Sequence, residues 1–463
     1  LNGQSGQAVK RSWLIAACLC LGAHAESAPL EALRARVDRV ASEWLASTGA
    51  PSVSIAIVQN GALVYARAQG RARLWPPTAA NPKSRYAIDS ITKEFTAAAI
   101  LLLAEDGKLS LDDALGKWFP DVGEAAAVTL RQILTHTGGI RDYWPQDFLT
   151  PEMLRPTTVA DIVQQWVKRP LDFEPGSEWQ YSNTGYVLAA AVVERVSGAK
   201  PFEFMRRRIF APLGMTDVID DTMARSAHDA TGYTRDGLGP LRPAPKESEG
   251  WLFGAASLAM KSSDLALWDL SLIDRSLLQP QSYALELAPT VLKNGATAPY
   301  GLGLDIEHVQ GRLRIGHSGA GSGFLAENRM WPEERTAIVV LTNNDWAPPS
   351  DLVDRIAFVV LTPSPIEARA GAVFAGLQSG NVDRSLFTVT GNFHLSARVL
   401  SDLHSSLAPL GSARLIELEY ESKRGGMITR RWKILCATVR LEAVERGYAG
   451  GKLDEFMVTK RDD

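Results

Sequence analysis

With 463 residues, 46% hydrophobic and 22% charged, the chain has an ordinary globular composition and enough apolar material for two or three domains. A net charge of −3 leaves no basic footprint for nucleic acid. Cys18 and Cys20 lie near the start, so Cys436 stands alone and the fold must be held by its core rather than by disulfides.

Residues 1–25 read as a secretory signal. Lys10-Arg11 form a positive segment, Trp13 to Gly22 a short apolar run, and Ala23-His24-Ala25 a cleavage site before Glu26. This predicts a periplasmic or secreted protein. The apolar run is too short to span a bilayer, so no membrane span is expected once the signal is removed. A lipid anchor on Cys18 is the alternative, but it leaves almost no apolar run ahead of the cysteine.

Leu30 to Trp44 carries an amphipathic helix pattern. Pro51 to Gln59 and Leu63 to Ala68 read as strands joined by the hairpin signal Asn60-Gly61. Tyr86-Ala87-Ile88 is extended, and a helix starting at Asp89-Ser90 runs to Glu105 before Gly107. Its stretch Ala97 to Leu103 is apolar on every side, which predicts burial. Val128 to Gly139 holds a short helix ending in a glycine turn. Residues 150–220 are helix-rich, with breaks at Pro151, Pro156, Pro170 and Pro175-Gly176. Strands return near Tyr300–Leu304, Leu313–Ile315, Gly323–Trp331 and Thr336–Leu341, followed by a helix over Leu352–Leu361. This order describes an α/β sheet domain with a helical insertion, residues 26–362. Beyond Thr362-Pro363-Ser364-Pro365, helices at Ile366–Gln378 and Leu395–Leu407 precede strands at Leu415–Tyr420, Met427–Leu435, Thr438–Val444 and Leu453–Val458. Residues 363–463 therefore form a separate small α+β unit, loosely similar in order to cystatin-like or nuclear-transport-factor-like folds. Cys436 falls in an alternating run there and reads as inert and buried.

Three segments suggest acyl-transfer chemistry. Ser90-Ile91-Thr92-Lys93 puts a hydroxyl at a helix N-terminus and an amine one turn later on the same face, in reach of its proton. A Ser-x-x-Lys match arises about once by chance in a chain of this size, and Ser197-Gly198-Ala199-Lys200 is a second. That one has Gly198 inside it and reads as a helix end; only Ser90 opens a buried helix. Tyr181-Ser182-Asn183 places a phenol and an amide on one loop, where the phenol can shuttle the nucleophile's proton. A lone Tyr-x-Asn is ordinarily a turn or a packed phenol. His317-Ser318-Gly319-Ala320 follows a strand, and its small residues let a substrate carbonyl approach the strand edge, where the Ala320 and Ser90 amides would form an oxyanion hole. His317 alone would ordinarily be a satisfied strand histidine, and His136-Thr137-Gly138 reads as a structural loop bordering the site. Order and joint occurrence favour one site over three coincidences.

From Leu30 to Leu361 the chain closely resembles the penicillin-recognising serine hydrolases, on the side of class C β-lactamases, D-alanyl-D-alanine carboxypeptidases, D-aminopeptidases and related esterases. The resemblance is carried by Ser90-Ile91-Thr92-Lys93-Glu94-Phe95-Thr96, Gly107 to Asp113, Leu130 to Ile140, Phe173-Glu174-Pro175-Gly176 leading to Tyr181-Ser182-Asn183, and His317-Ser318-Gly319. It implies a β-lactamase/transpeptidase-like fold, with an antiparallel sheet flanked by helices and a helical subdomain. It implies Ser90 as the acylated nucleophile, Lys93 as its activator, Tyr181 as general base and acid, Asn183 as a substrate contact and His317-Ser318-Gly319 as the third box. Lys93 and Tyr181 are treated as a coupled pair.

Two departures stand out. The third box begins with His where drug-hydrolysing relatives carry Lys, which predicts weak selection for anionic β-lactams. Ala256-Ser257 stands where relatives often have paired glycines, so the cleft floor is expected to differ. Other chemistries find little support. The seven histidines show no close metal spacing, Gly316 to Ala320 misses the nucleophile elbow, and no phosphate-cradling loop is present, so no metal or cofactor is expected. The reading is an exported serine hydrolase acting on a small-molecule or peptide amide or ester. Its alternative is a penicillin-binding or sensing protein that is acylated without turnover and uses the C-terminal unit for interaction. Trp144, Trp179 and Trp346 are expected in packing roles more than as cleft walls.

Overall fold

The computed structural model describes residues 13–461 apart from 147, 221, 222, 224, 225, 310, 311, 438, 449 and 450, with side chains from residue 30 onward. Two compact units divide between Val353 and Asp354. The division precedes the expected 362/363 because Phe358, late in the helix Ser350–Val360, packs against the second unit's core.

In the first unit, helix α1 (Trp13–Thr48) contains the predicted amphipathic stretch and buries Val37, Ala41 and Trp44. Lys10-Arg11 of the predicted signal lie outside the described residues. Strands β1 (Ser52–Gln59) and β2 (Ala62–Arg73) form the hairpin turned by Asn60 and Gly61, both at positive φ, and β3 (Thr78–Ala79) follows. The predicted second strand is longer than the sequence suggested, because β2 continues past Ala68 to pair with β1 and β3.

Helix α2 (Thr92–Glu105) is buried from Thr92 through Leu103 and stops at Gly107, which has φ +69°. Ser90 does not sit on its first turn. It lies in a separate 3₁₀ turn, Asp89–Ile91, in which Asp89 takes φ +45°. The helical subdomain contributes α3 (Asn183–Ser197), packed on α2, and the short helix Leu130–Leu134 capped reciprocally by Thr129 and Gln132. Gly198 ends α3 at φ +70°, so the second Ser-x-x-Lys match is a helix end. Helix α4 (Ser262–Asp274) lies against β1, with Ser54 Oγ 2.9 Å from Ser262 Oγ.

Strands β4 (Asp305–Val309), β5 (Arg312–Gly321), β6 (Phe324–Trp331) and β7 (Thr336–Thr342) complete a seven-stranded antiparallel sheet in the order β4-β5-β6-β7-β1-β2-β3. β1 and β7 sit at its centre, buried along their length except at Gln59. The strand expected over Tyr300–Leu304 is absent: Gly303 turns there at φ +83°, and a Cβ on it would lie 2.8 Å from the Lys93 carbonyl oxygen. Gly303 serves close approach to α2, and Gly301, where a Cβ would lie 2.2 Å from the Glu286 carbonyl oxygen, serves close approach to the Pro280–Glu286 helix.

The second unit folds around Phe374, Leu377, Trp432, Ile434, Leu441 and Ala443. Helix α5 (Pro365–Ser379) starts on a Ser364–Glu367 capping box, and α6 (Ala397–Leu407) starts two residues later than expected because Ser396 takes the N-cap. Strands β8 (Leu415–Arg424), β9 (Met427–Leu435), β10 (Arg440–Tyr448) and β11 (Leu453–Lys460) form an antiparallel meander. Thr438, the expected start of the third of these strands, lies outside the described residues. Cys436 is a free, buried thiol whose pKa burial raises.

Candidate active site

The nucleophile turn is pinned on both sides. Ile88 N–H donates to the Leu258 carbonyl at 3.0 Å, and Thr92 Oγ1 accepts from Leu258 N–H at 3.1 Å. From the other side β5 presses in. A Cβ on Gly319 would lie 2.1 Å from the Ile88 carbonyl oxygen, and one on Gly321 2.2 Å from Asp89 Oδ1. Only glycine at these alternate positions lets the strand meet the turn carrying Ser90.

Lys93 is fully buried one helical turn on. Its Nζ lies 2.9 Å from Ser90 Oγ and donates to Asn183 Oδ1 at 2.9 Å and to the Ala255 carbonyl at 3.0 Å. The last two partners can only accept, so they fix two N–H directions and leave another tetrahedral direction aimed at the serine oxygen. That direction carries the lone pair when the amine is neutral, which is the arrangement a base needs. Tyr181 is half-buried, with its ring 4.8 Å from Lys93 Nζ.

Asn183 is oriented by a residue that sequence reasoning missed. Its backbone N–H and its Nδ2 both donate to the buried Asp142 carboxylate, at 3.0 and 3.1 Å, and this turns Oδ1 toward Lys93. Burial raises the pKa of Asp142, while the hydrogen bond from Trp144, the Lys93 charge and the hydrogen bonds from Asn183 oppose that rise. Asp142 follows Gly138-Gly139 on a loop and carries no periodic or motif signal.

His136, predicted to border the site, does so. It is buried at φ +58°, its Nδ1 accepts from Ser182 N–H at 3.1 Å, and its ring packs 4.3 Å from that of Tyr181. Burial, then the Lys93 charge, hold its pKa well below the usual range, so it is neutral. Trp179, expected in packing, is 39% exposed and stands beside His136 and Tyr300. Trp346 is elsewhere, its Nε1 donating to the Thr48 carbonyl, and Trp144, on the Asp142 loop itself, is buried with its Nε1 donating to the Phe148 carbonyl.

The third segment also meets this site. The His317 ring lies 6.2 Å from that of Tyr181 and 5.7 Å from that of Tyr300. His317 N–H donates to Asn328 Oδ1 on β6 at 3.1 Å. Strand alternation then turns the Ser318 and Ala320 amides to the opposite edge. β4 pairs with β5 only from Arg312 to Gly316, so that edge is open from 317 to 320. A cavity of about 180 Å³ bordered by Asp89, Ala256, Ser257 and Ser322 opens beside the nucleophile turn. The structure thus gathers Ser90, Lys93, Tyr181, Asn183 and residues 317–320, with Asp142, Tyr300, Asn328 and the Ala255 carbonyl supplied from stretches without sequence signal.

Residues 37–359 match the sequence model of the family described as Beta-lactamase, well over half of the chain. The chain belongs to that family. Among curated relatives it is 29% identical over 307 residues to penicillin-binding protein 4* of Bacillus subtilis (strain 168), covering 63% of this chain and 68% of that one. It is 30% identical over 298 residues to the D-aminopeptidase of Brucella ovis, covering 63% of this chain and 56% of the relative, so it spans little more than half of that enzyme's length. Among solved structures, the octameric penicillin-binding protein homologue from Pyrococcus abyssi is similar at a TM-score of 0.62 and 22% identity, over 93% of this chain and 96% of that one. D-amino acid amidase from Ochrobactrum anthropi is similar at 0.63 and 24%, over 71% and 98%. These likenesses show a β-lactamase/transpeptidase-like fold. Family membership makes the chain one of the serine hydrolases, a group that includes enzymes named for action on D-amino-acid amides.

Proposed function

We propose that this family member hydrolyses amide or ester bonds of small D-amino-acid derivatives or peptides through an acyl-enzyme on Ser90. The observation that carries the reading is the placement of Lys93 Nζ 2.9 Å from Ser90 Oγ, its other N–H directions tied to Asn183 and Ala255. In the acylation step Ser90 Oγ bonds to the substrate carbonyl carbon and its proton passes to the Lys93–Tyr181 pair. The carbonyl oxygen takes the negative charge beside the Ser90 and Ala320 amides. Collapse breaks the bond to the leaving amine or alcohol, which takes the proton. Water then repeats the sequence on the ester, releasing the acid and restoring Ser90. The names of the D-aminopeptidase and D-amino acid amidase relatives support the D-configured substrate class.

Steady-state turnover of p-nitrophenyl acetate and of D-alanine p-nitroanilide tests this reading. The native chain should turn over both, and Ser90→Ala should fall to the uncatalysed rate. Undiminished turnover in Ser90→Ala would refute it, and acylation without steady-state release would favour the sensing alternative. We also propose export, on the strength of residues 10–25; a processed form beginning at Glu26 is the expected product, and N-terminal sequencing of protein recovered from the cell exterior or periplasm checks it.

A further inference from the structure

His317 stands in the third segment of the site with both ring nitrogens occupied from within the protein. Its Nδ1 donates to the Ser318 carbonyl at 2.5 Å, so the proton of the neutral ring sits there. Nε2 is then the acceptor, and Tyr300 Oη donates to it at 2.9 Å. Tyr300 is itself buried, 1% exposed, and held between His136 and Trp179. The imidazole therefore offers a substrate neither a charge nor an uncommitted N–H.

We propose that Tyr300 is a specificity-determining residue: by donating to His317 Nε2 it locks the imidazole in one tautomer and closes this segment to a carboxylate. The inference rests on the hydrolase reading above and narrows it to substrates whose leaving side is uncharged. The surroundings reinforce the lock. Lys93 on α2 and the neutral His136 face the same ring, and Tyr181 packs beside it. On the flanking strands Glu327 pairs with Ser318 and Asp305 with Gly316. Burial, then the Lys93 charge, push the His317 pKa down to about 3, consistent with a ring that stays neutral throughout the working pH range. Removing the Tyr300 hydroxyl deletes a bond to the neutral form, which favours a proton on Nε2 against the burial and the Lys93 charge that still oppose it.

D-alanyl-D-alanine and its C-terminal amide differ only in the terminal group, a carboxylate against a neutral carboxamide, so their kcat/KM ratio reads the proposal directly. The native enzyme should favour the amide by about tenfold or more at both pH 8 and pH 5.5, because the dipeptide's carboxylate finds no charge-assisted donor on His317. In Tyr300→Phe the ratio should move toward the dipeptide as pH falls, measurably at pH 5.5 and not at pH 8. His317→Lys, which installs a fixed charge, should move it at both pH values. The ring itself supplies a second readout in the native chain: ¹⁵N shifts of His317 should report the Nδ1–H tautomer unchanged from pH 8 to pH 5. An unchanged ratio in Tyr300→Phe with Ser90 still acylated, a native preference for the dipeptide, or an ordinary His317 titration would each overturn the proposal. Loss of turnover with no Ser90 acylation in the native chain would instead indict the hydrolase reading.

Discussion

With Asn183 and Ala255 fixing two of its N–H directions, Lys93 meets Ser90 along one tetrahedral direction, and any change of side-chain length breaks all three contacts together. Lys93→Arg is therefore as damaging as Lys93→Met, each lowering kcat/KM for an ester by about 10²–10⁴-fold. Stopped-flow burst amplitudes would check that the loss falls on acylation. Asp142 acts one step removed. Asp142→Ala strands the buried N–H groups of Asn183, costing about 1–3 kcal/mol of stability, and frees the amide to rotate. The expected result is a lower kcat with a lesser change in KM, read from steady-state kinetics beside a urea melt. Ser90, Lys93, Tyr181, Asn183 and residues 317–320 were legible because their chemistry falls in short motifs at element boundaries. Asp142 and Tyr300 were not, because each acts through hydrogen bonds to a residue distant in the chain, which leaves no spacing to read.

At the scale of elements, the site depends on how closely β5 approaches the nucleophile turn. Gly319→Ala would bring a methyl 2.1 Å from the Ile88 carbonyl, a backbone atom that cannot swing away. The strand or the turn must shift, costing about 1–3 kcal/mol. We expect a lower melting temperature together with a loss of acylation rate. Ser318→Ala, at an exposed position on the same strand, should leave stability nearly unchanged and serves as the comparison. The Asn60-Gly61 hairpin signal located β1, and a stretch apolar on every side located the buried α2. Pattern reading failed at Tyr300–Leu304, where Gly301 and Gly303 imitate a weak strand but instead let a loop press on the Glu286 carbonyl and on α2. It also placed Ser90 on the helix proper, since Asp89 and Ser90 suit a helix start equally well whether the first turn is α or 3₁₀.

Across the whole molecule, carboxyl groups buried beneath the site tie stability to pH. Asn328 Nδ2 donates to Asp269 Oδ1 at 2.7 Å and to Glu94 Oε2 at 3.3 Å, and Trp268 Nε1 donates to the same Glu94 oxygen at 2.5 Å. Burial, then the neighbouring Asp269, raise the Glu94 pKa well above the usual range, and burial pushes Asp269 up to about 8. Glu286, with no hydrogen-bond partner for either oxygen among the described residues, is pushed to about 8, mainly by burial. The folded chain thus keeps protons that the unfolded chain releases near pH 4. The stabilisation is full below that pH and drains away as pH rises toward 8, at up to about 1.4 kcal/mol per pH unit for each group. Urea midpoints should fall from pH 5 to pH 8, and Glu286→Gln should flatten the fall; an unchanged slope in that variant would remove Glu286 from the account. The two-unit organisation was legible from composition and the Pro-rich link. Its boundary was not, because the helix Ser350–Val360 runs across it and only packing assigns Phe358.

The central claim is that Ser90 becomes covalently acylated. Rapid acid quench during turnover of a slowly released D-alanyl ester, followed by intact mass and peptide mapping, tests it most directly. The account predicts one added D-alanyl group on the peptide containing Ser90, absent from Ser90→Ala and strongly diminished in Lys93→Met. Label on another residue, or turnover in Ser90→Ala with no covalent species, would contradict it.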